Sequence, residues 1–549
     1  MKPTEMNLSP TSKWSLDKQP WLGICLTVGA LLSIKLKQDA SWDLKNYHLY
    51  NAWALLNDRY ARDLVPASMQ SYFNPLLDLP YYLLSTGPLE QWPRLLAAVQ
   101  GLWFGALCYV VLRIAFRLAE YQGRKPHWGD LIAVLIGVSG TMAVSQTGGT
   151  SNEIALAFFV LLGLYLLMPL FHGAVQRPLL AVWLAGLSCG LAAGLKPTAI
   201  VYLPALGLAV LLAPATMGRR LKWGAAFTVG AALAFLLSYG WWGWHLYRLS
   251  GNPVFPLFNQ IFRSDLIPPM STVDARFLPR DAMQWVFYPF YWLHKRASLV
   301  TEPPFADPRY ALTMLSLALI AVFALLGSRR KLSAARTVTH PVIRLFGVFL
   351  SLSYLFWLVL FSILRYAVAI EALTGIVMLM AVQAWIFIPR DDQTQQKIIG
   401  LSMGVLLVLI AATTHYPGWG RIRFGKQVFA ITTNDVPPGS LVLLGGIPSA
   451  YLIPFFPHSQ QIDFIGLNWF VQVSDRHRLW NTIQQRLEQR KGPLYIVLRQ
   501  DDKDDLDLLH SLTPDLSIGD CRPILSNLDH EPGVDSGDLR LCLAHRGGK

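Results

Sequence analysis

Asp43 stands near the head of the stretch SWDLKNYHLYNAW, residues 41 to 53, and on a helix Asn46, Tyr47 and Tyr50 fall on its face at i+3, i+4 and i+7. A carboxylate framed by an amide and two hydroxyls can hold a sugar, or take the proton from an attacking hydroxyl. Asp43 also suits a helix N-cap, and spacing alone leaves both readings open. His48 points away from that face, toward Leu44 and Leu55, and reads as packing.

Four further stretches place polar groups beside apolar runs. In YFNPLLDLPYY, residues 72 to 82, two prolines break any helix, so Asp78 reads as a turn former or a second ligand. Glu153 follows Ser151 and Asn152, where it can favour a helix dipole or add a carboxylate to a site. Lys196, followed by Pro197, presents an ammonium at a break between two apolar runs, either snorkelling or meeting a lipid phosphate. In FSILRYAVAIEAL, Arg365 offers a planar fork to phosphate oxygens beside Tyr366, and Glu371 lies deeper, where it calls for a cationic partner or water.

These residues must be positioned by membrane helices. Of 549 residues, 53% are hydrophobic and 15% charged, and the mean hydropathy is +0.36, too apolar for a soluble chain of this size. About eleven apolar runs approach the ~20 residues a bilayer requires. They cover 21 to 37, 93 to 118, 130 to 147, 154 to 171, 179 to 195, 198 to 213, 224 to 246, 310 to 327, 342 to 363, 367 to 388 and 398 to 414. Gly186, Gly190 and Gly194 recur every fourth residue and give one helix a smooth packing face. The run from Trp21 to Ile34 resembles a signal-peptide core, but no small-x-small cleavage site follows it, so an uncleaved first helix is expected.

The net charge of +13 fits the positive-inside rule and not a nucleic-acid partner, for which no module pattern is present. With the N-terminus inside, inner segments hold Lys2, Lys13, Lys18, Arg219, Arg220, Lys222, Arg329, Arg330, Lys331, Arg336 and Arg390, whereas short outer connections hold only Lys196 and Arg365. Lys35 and Lys37 run against that pattern. Outside lie two long aromatic segments, 38 to 92 and 248 to 309, and everything beyond about 415.

That tail, 415 to 549, is a different kind of chain. Strands are expected at 440 to 446, at 494 to 500 and in LRLCLAH, with an amphipathic helix over 475 to 490, which makes a small α/β domain. The expected fold class is therefore an all-α polytopic membrane domain, 21 to 414, after a cytoplasmic segment 1 to 20 and before an extracytoplasmic α/β domain. Cys25, Cys108 and Cys189 fall in apolar runs as packing residues; Cys521 and Cys542 lie in the outer domain, where a disulfide is allowed but not required. No cysteine or histidine cluster has zinc spacing.

The acidic residue in a large first outer loop, the GLxxGLK-P break ending at Lys196 and Pro197, the Arg365-Tyr366 pair and the terminal outer domain together resemble the GT-C superfamily. These are multispanning glycosyltransferases that use polyprenyl-phosphate sugars, among them protein O-mannosyltransferases and aminoarabinose transferases. The resemblance covers roughly residues 20 to 415. It implies transfer of a hexosyl or pentosyl group from a polyprenyl-phosphate donor to a glycan, lipid or protein hydroxyl on the outer face of a membrane, in cell-envelope synthesis; the absence of an N-x-S/T sequon from the outer segments leans toward a bacterial inner membrane. Asp43 would be the catalytic base, with Asp39 as a stand-in; Asn46, Tyr47, Tyr50, Asp78 and Glu153 would hold sugar or acceptor; Lys196, Arg365 and Tyr366 would hold the donor phosphate. Many members carry paired acids in the first loop, whereas Leu44 follows Asp43 here, so metal-independent transfer without a cofactor is expected, a divalent metal being the alternative. Two other functions remain. A glycan polymerase or ligase would gather Arg and His in a late outer loop, where His294, Lys295 and Arg296 lie; a transporter would show charges at span midpoints and related halves, which are not seen.

Overall fold

In the computed structural model, residues 16, 19–173, 175–330, 341–385, 392–499, 503–529 and 539–547 are described. Lys2, Lys13, Lys18, Lys331, Arg336 and Arg390 fall outside them. Among the described residues, 6 helices are long and apolar enough to cross a membrane, namely Pro93–Tyr121, Glu153–His172, Pro178–Leu195, Met217–Ser250, Pro341–Leu360 and Gln393–Thr413. A seventh forms if Leu364–Glu371 and Thr374–Trp385, bent by 44° at their junction, count as one span. Four of the expected runs are apolar over shorter helical stretches: Trp21–Lys35, Trp128–Val138, Pro197–Leu211 and the Arg309–Leu325 part of the helix Arg309–Arg330.

The sequence explains two of the helix boundaries. Trp128–Val138 ends at Ser139 and Gly140, and the chain restarts as Thr141–Ser145. A Cβ at position 140 would meet the Glu371 carboxylate, so glycine lets the two lie this close. Lys196 is extended (φ −148°, ψ 121°), as a residue before proline must be, and this separates the helix ending at Leu195 from the turn opening at Pro197.

The glycine face packs as expected. A Cβ at Gly186 or Gly190 would lie 2.2 Å from the Phe227 carbonyl or 2.1 Å from that of Ala231, so helices Pro178–Leu195 and Met217–Phe235 touch backbone to backbone. Against this bundle the first outer segment folds back as a π-helical turn, Leu44–His48, continued by Leu49–Leu56.

Beyond the last span lies a five-stranded sheet in the order β5-β4-β6-β9-β7, from β4 (Leu441–Gly445), β5 (Asp463–Leu467), β6 (Leu494–Arg499), β7 (Leu516–Pro523) and β9 (Leu539–Arg546). Strand β4 runs parallel to β5 and β6; β9 is antiparallel to both β6 and β7. The expected strands are β4, β6 and β9, and the expected helix is Arg478–Gln489. Cys521 and Cys542 sit opposite each other on β7 and β9 and form a disulfide.

The sheet does not hang free. Its edge strand β5 pairs with the first outer segment, where Leu64 N–H donates to Phe464 O and Gly466 N–H to Leu64 O, both at 2.9 Å. Arg59, only 2% exposed, ties the same segment down, pairing with Asp63 at 2.6 Å and donating to the carbonyls of Gln460 and Ile462. A two-residue ladder joins β1 (Gln38–Asp39) to β2 (Arg421–Ile422). The first outer segment is thus clamped between bundle and sheet, and that clamp positions the site.

Candidate active site

A cavity of about 1190 Å³ opens where four parts of the chain meet: the first outer segment, the helix ends near Lys196 and Arg365, the 248–309 segment and the sheet domain. Asp43, Tyr47, Asp78, Lys196, Arg365 and Tyr366 all line it.

Asp43 Oδ2 accepts a hydrogen bond from Arg365 Nη1 at 2.8 Å, joining residues 322 apart in sequence. Its carboxylate caps nothing: Asp43 is already helical (φ −62°, ψ −43°), and the Leu44 N–H donates to Ser41 Oγ instead. Of the two sequence readings of Asp43, the cap is therefore the one the geometry removes. The residue is 7% exposed. Burial on its own would raise the carboxyl's pKa, but Arg365, His48 and Lys196 together outweigh it and hold the group below its ordinary value.

The expected face of Asn46, Tyr47 and Tyr50 is only partly realised. Residues 44–48 form a π-helical turn, with i→i+5 bonds, so the side chains near Asp43 are those of a wider spiral. Tyr47 still reaches the cavity, and His48 joins it, contrary to the packing role read from the α-helical period. Asn46 turns away and donates to Ala67 O at 3.3 Å, and Tyr50 donates to Asp63 Oδ2 at 3.1 Å; neither lines the cavity.

Asp78 does more than turn the chain. Its Oδ1 lies 2.7 Å from His48 Nδ1 and accepts from Asn152 Nδ2 at 2.8 Å. Asn152 holds a left-handed backbone (φ 72°), which asparagine tolerates better than most residues. Next to it, Glu153 sits behind the wall and not on it, pairing with Lys196 Nζ at 2.5 Å. Lys196 also donates to Ser151 O at 2.9 Å, so its ammonium is anchored while still facing the cavity. Tyr366 lies beneath both cations, its ring centroid 5.8 Å from Lys196 Nζ and 5.5 Å from Arg365 Cζ. Asp39 is occupied by structure, accepting from Ser41 N–H and from the N–H and hydroxyl of Thr150.

Glu371 departs from expectation. Instead of a cation it takes the N–H groups of Met142 and Ala143 at 3.0 and 2.8 Å, with the hydroxyls of Thr141 and Tyr310 nearby. It serves as an anionic cap for the short helix Thr141–Ser145. His294, Lys295 and Arg296 do not line the cavity.

Several wall residues had no signal in the sequence. Trp419 and Arg421 follow the last span, Arg499 ends β6, Asp529 lies beyond β8 (Leu525–Ser526), which pairs with β3 (Ile431–Thr432), and Asp274, Arg276 and Glu302 come from the 248–309 segment. Only the folded sheet domain and loop bring them to Asp43; no local spacing relates them to it.

No family model matches this chain, and no curated protein matches it by sequence. Two solved structures do match in fold. The arabinofuranosyltransferase AftD from Mycobacteria superposes with a TM-score of 0.50 at 16% identity, over 96% of this chain and 42% of its own. The oligosaccharyltransferase of Archaeoglobus fulgidus gives a TM-score of 0.46 at 12% identity, over 88% of this chain and 70% of its own. This chain thus spans less than half the length of the arabinofuranosyltransferase. At the level of the fold, this chain is similar to that arabinofuranosyltransferase over almost its whole length.

Proposed function

We propose that this protein is a membrane glycosyltransferase that moves a sugar from a polyprenyl-phosphate donor to an acceptor hydroxyl at the extracytoplasmic face, with inversion, in cell-envelope synthesis. The observation that carries the reading is one arrangement: a buried carboxylate, Asp43, bonded to Arg365 in a cavity that Lys196 and Tyr366 also border. Asp43 takes the acceptor proton as the oxygen attacks the anomeric carbon. Lys196 and Arg365 hold the phosphate and stabilise charge as the C–O bond to it breaks. Attack from the side opposite the phosphate inverts the anomeric centre. Asp78, with His48, orients the sugar beside Tyr47.

The topology belongs to the same proposal. If the bent pair and the four shorter apolar helices each cross, the count is about eleven, the N-terminus is cytoplasmic and the sheet domain faces the periplasm of an inner membrane. No resident cofactor takes part. A divalent metal is the alternative, and turnover that chelator abolishes and Mg²⁺ or Mn²⁺ restores would establish it. The polymerase or ligase reading has less behind it, because the 248–309 segment brings one arginine, Arg276, and no histidine to the cavity.

Purified protein given polyprenyl-phosphate sugars and candidate acceptors tests the reading. Polyprenyl phosphate should be released by wild type and not by Asp43→Asn. Lys196→Ala should weaken donor and not acceptor affinity. No release with any donor would sink the class, and unchanged turnover in Asp43→Asn would remove Asp43 as the base.

A further inference from the structure

Among the described residues, six carboxylates line the cavity: Asp39, Asp43, Asp78, Asp274, Glu302 and Asp529. Five are engaged. Asp39 holds Thr150, Asp43 holds Arg365, and Asp78 holds His48 and Asn152. Asp274 chelates Arg276 through both oxygens, and Asp529 takes the Tyr451 hydroxyl. Glu302 alone has neither a hydrogen bond nor an ion pair to any described residue.

Its position is nonetheless built. The 296–305 hairpin is closed by reciprocal bonds between Arg296 and Phe305 and tightened by Ser298 N–H donating to Thr301 O at 2.8 Å. The Tyr288 hydroxyl donates to Leu299 O at 2.8 Å, and the Leu364 N–H donates to Val300 O at 2.7 Å. That last bond ties the residue before Arg365 to a point two residues before Glu302. Pro303 and Pro304 stiffen the chain beyond it, and Thr301 and Phe305 are each 1% exposed. Glu302 is thereby fixed near enough to Arg365 and Arg276 to attract both electrostatically without bonding either.

A solvated carboxylate on a rigid turn at the wall of a cavity, with no donor among the described residues, is free to accept a ligand's N–H or O–H. The geometry points to Glu302 as an acceptor-binding carboxylate, and to a saccharide as the acceptor class. This rests on the glycosyltransferase reading and names the acceptor of that site. A protein acceptor must bring one side-chain hydroxyl to Asp43 and a separate group, a backbone N–H or a second side chain, to Glu302, whereas a saccharide carries its donors as neighbouring hydroxyls. A sugar ring presents several, so one hydroxyl can approach Asp43 while another donates to Glu302. The wall also offers aromatic surface for the apolar C–H face of such a ring: Trp42 and Trp469, 41% and 37% exposed, come from the first outer segment and the sheet domain.

The test is acceptor-side binding without any donor, so that it can be read whatever the donor proves to be. Full-length wild type, Glu302→Gln and Glu302→Asp in nanodiscs are titrated with methyl hexosides and pentosides, and with a peptide bearing Ser and Thr, by saturation-transfer NMR. At least one glycoside should bind wild type, bind Glu302→Gln about 10-fold more weakly, as loss of one charge-assisted hydrogen bond implies, and regain affinity in Glu302→Asp. Glu302 is exposed, so unfolding midpoints should coincide. Equal binding by Glu302→Gln, no glycoside bound by wild type, or binding of the peptide in preference would each overturn the assignment. Failure of polyprenyl-phosphate turnover, by contrast, would count against the donor reading and leave this result standing.

Discussion

Two buried charge clusters lie at helix ends on the side of the sheet domain, and they differ in one respect. Around Asp307, Arg309 and Glu371 every group is consumed: Arg309 Nε donates to Ile136 O, Nη1 to Asp307 and Thr414, and Nη2 to the carbonyl and hydroxyl of Ser139. Glu371 is likewise saturated by two backbone N–H groups. Around Asp43 and Arg365, the guanidinium gives Nη1 to Asp43 while its buried Nε has no acceptor, and open volume lies alongside. Burial of charge is common to both. What separates a scaffold from a site is bonding capacity left over beside a space.

The sharpest way to break that contrast is to neutralise one charged side chain in each. Asp43→Asn keeps the shape and removes the proposed base, so turnover should fall by about 10²–10⁴-fold, with a smaller loss of stability than in the sealed cluster because Arg365 borders open volume. Arg309→Met should do the reverse, leaving Asp307 buried without its cation at a cost of about 3–5 kcal/mol, read as a lowered unfolding midpoint of the purified protein. If Arg309→Met folded as stably as wild type and lost donor binding, the sealed cluster would belong to the site.

Of the sealed cluster the sequence singles out one member, Glu371, as a charge in need of a cationic partner or water. Glu371 is a lone acid in an apolar run, as Glu153 nearly is, and the cost of burying charge flags both. Its partners, two backbone N–H groups freed by a helix break at Gly140, are invisible until that break is seen to face it. Lys196 and Arg365 were legible because proline and a short apolar gap mark helix ends directly in the chain. The strands β4 and β6 were legible as continuous apolar runs. Asn46 and Tyr50 were misplaced because the α-helical period was applied to a turn that is π-helical, a difference of one residue per turn that no residue type announces. Glu302 and Arg421 were missed because they reach Asp43 only through tertiary pairing.

A gentler variant sharpens the contrast within the site. Arg365→Lys retains the charge and loses the planar fork, so Asp43 keeps a cation while the phosphate loses a bidentate partner. Donor affinity should weaken by about 10-fold in a direct binding assay, with acceptor affinity unchanged. An unchanged donor Kd would show that Arg365 serves only to hold Asp43.

The smallest effect lies in pH. The Asp43 carboxyl is held below its ordinary value in the folded protein, against burial, chiefly by Arg365. A depressed carboxylate contributes stability that is present above its unfolded value of ~3.9 and lost as pH falls through the lower, folded value. The ionised, proton-accepting form therefore persists in wild type to below about pH 4, and the acid limb of kcat/KM due to Asp43 should lie there. Arg365→Gln removes the largest opposing charge, so the limb should move to higher pH, whatever happens to the height of the profile. A limb that stayed in place would mean that the pair seen between Asp43 and Arg365 does not set the basicity of the group proposed to take the proton.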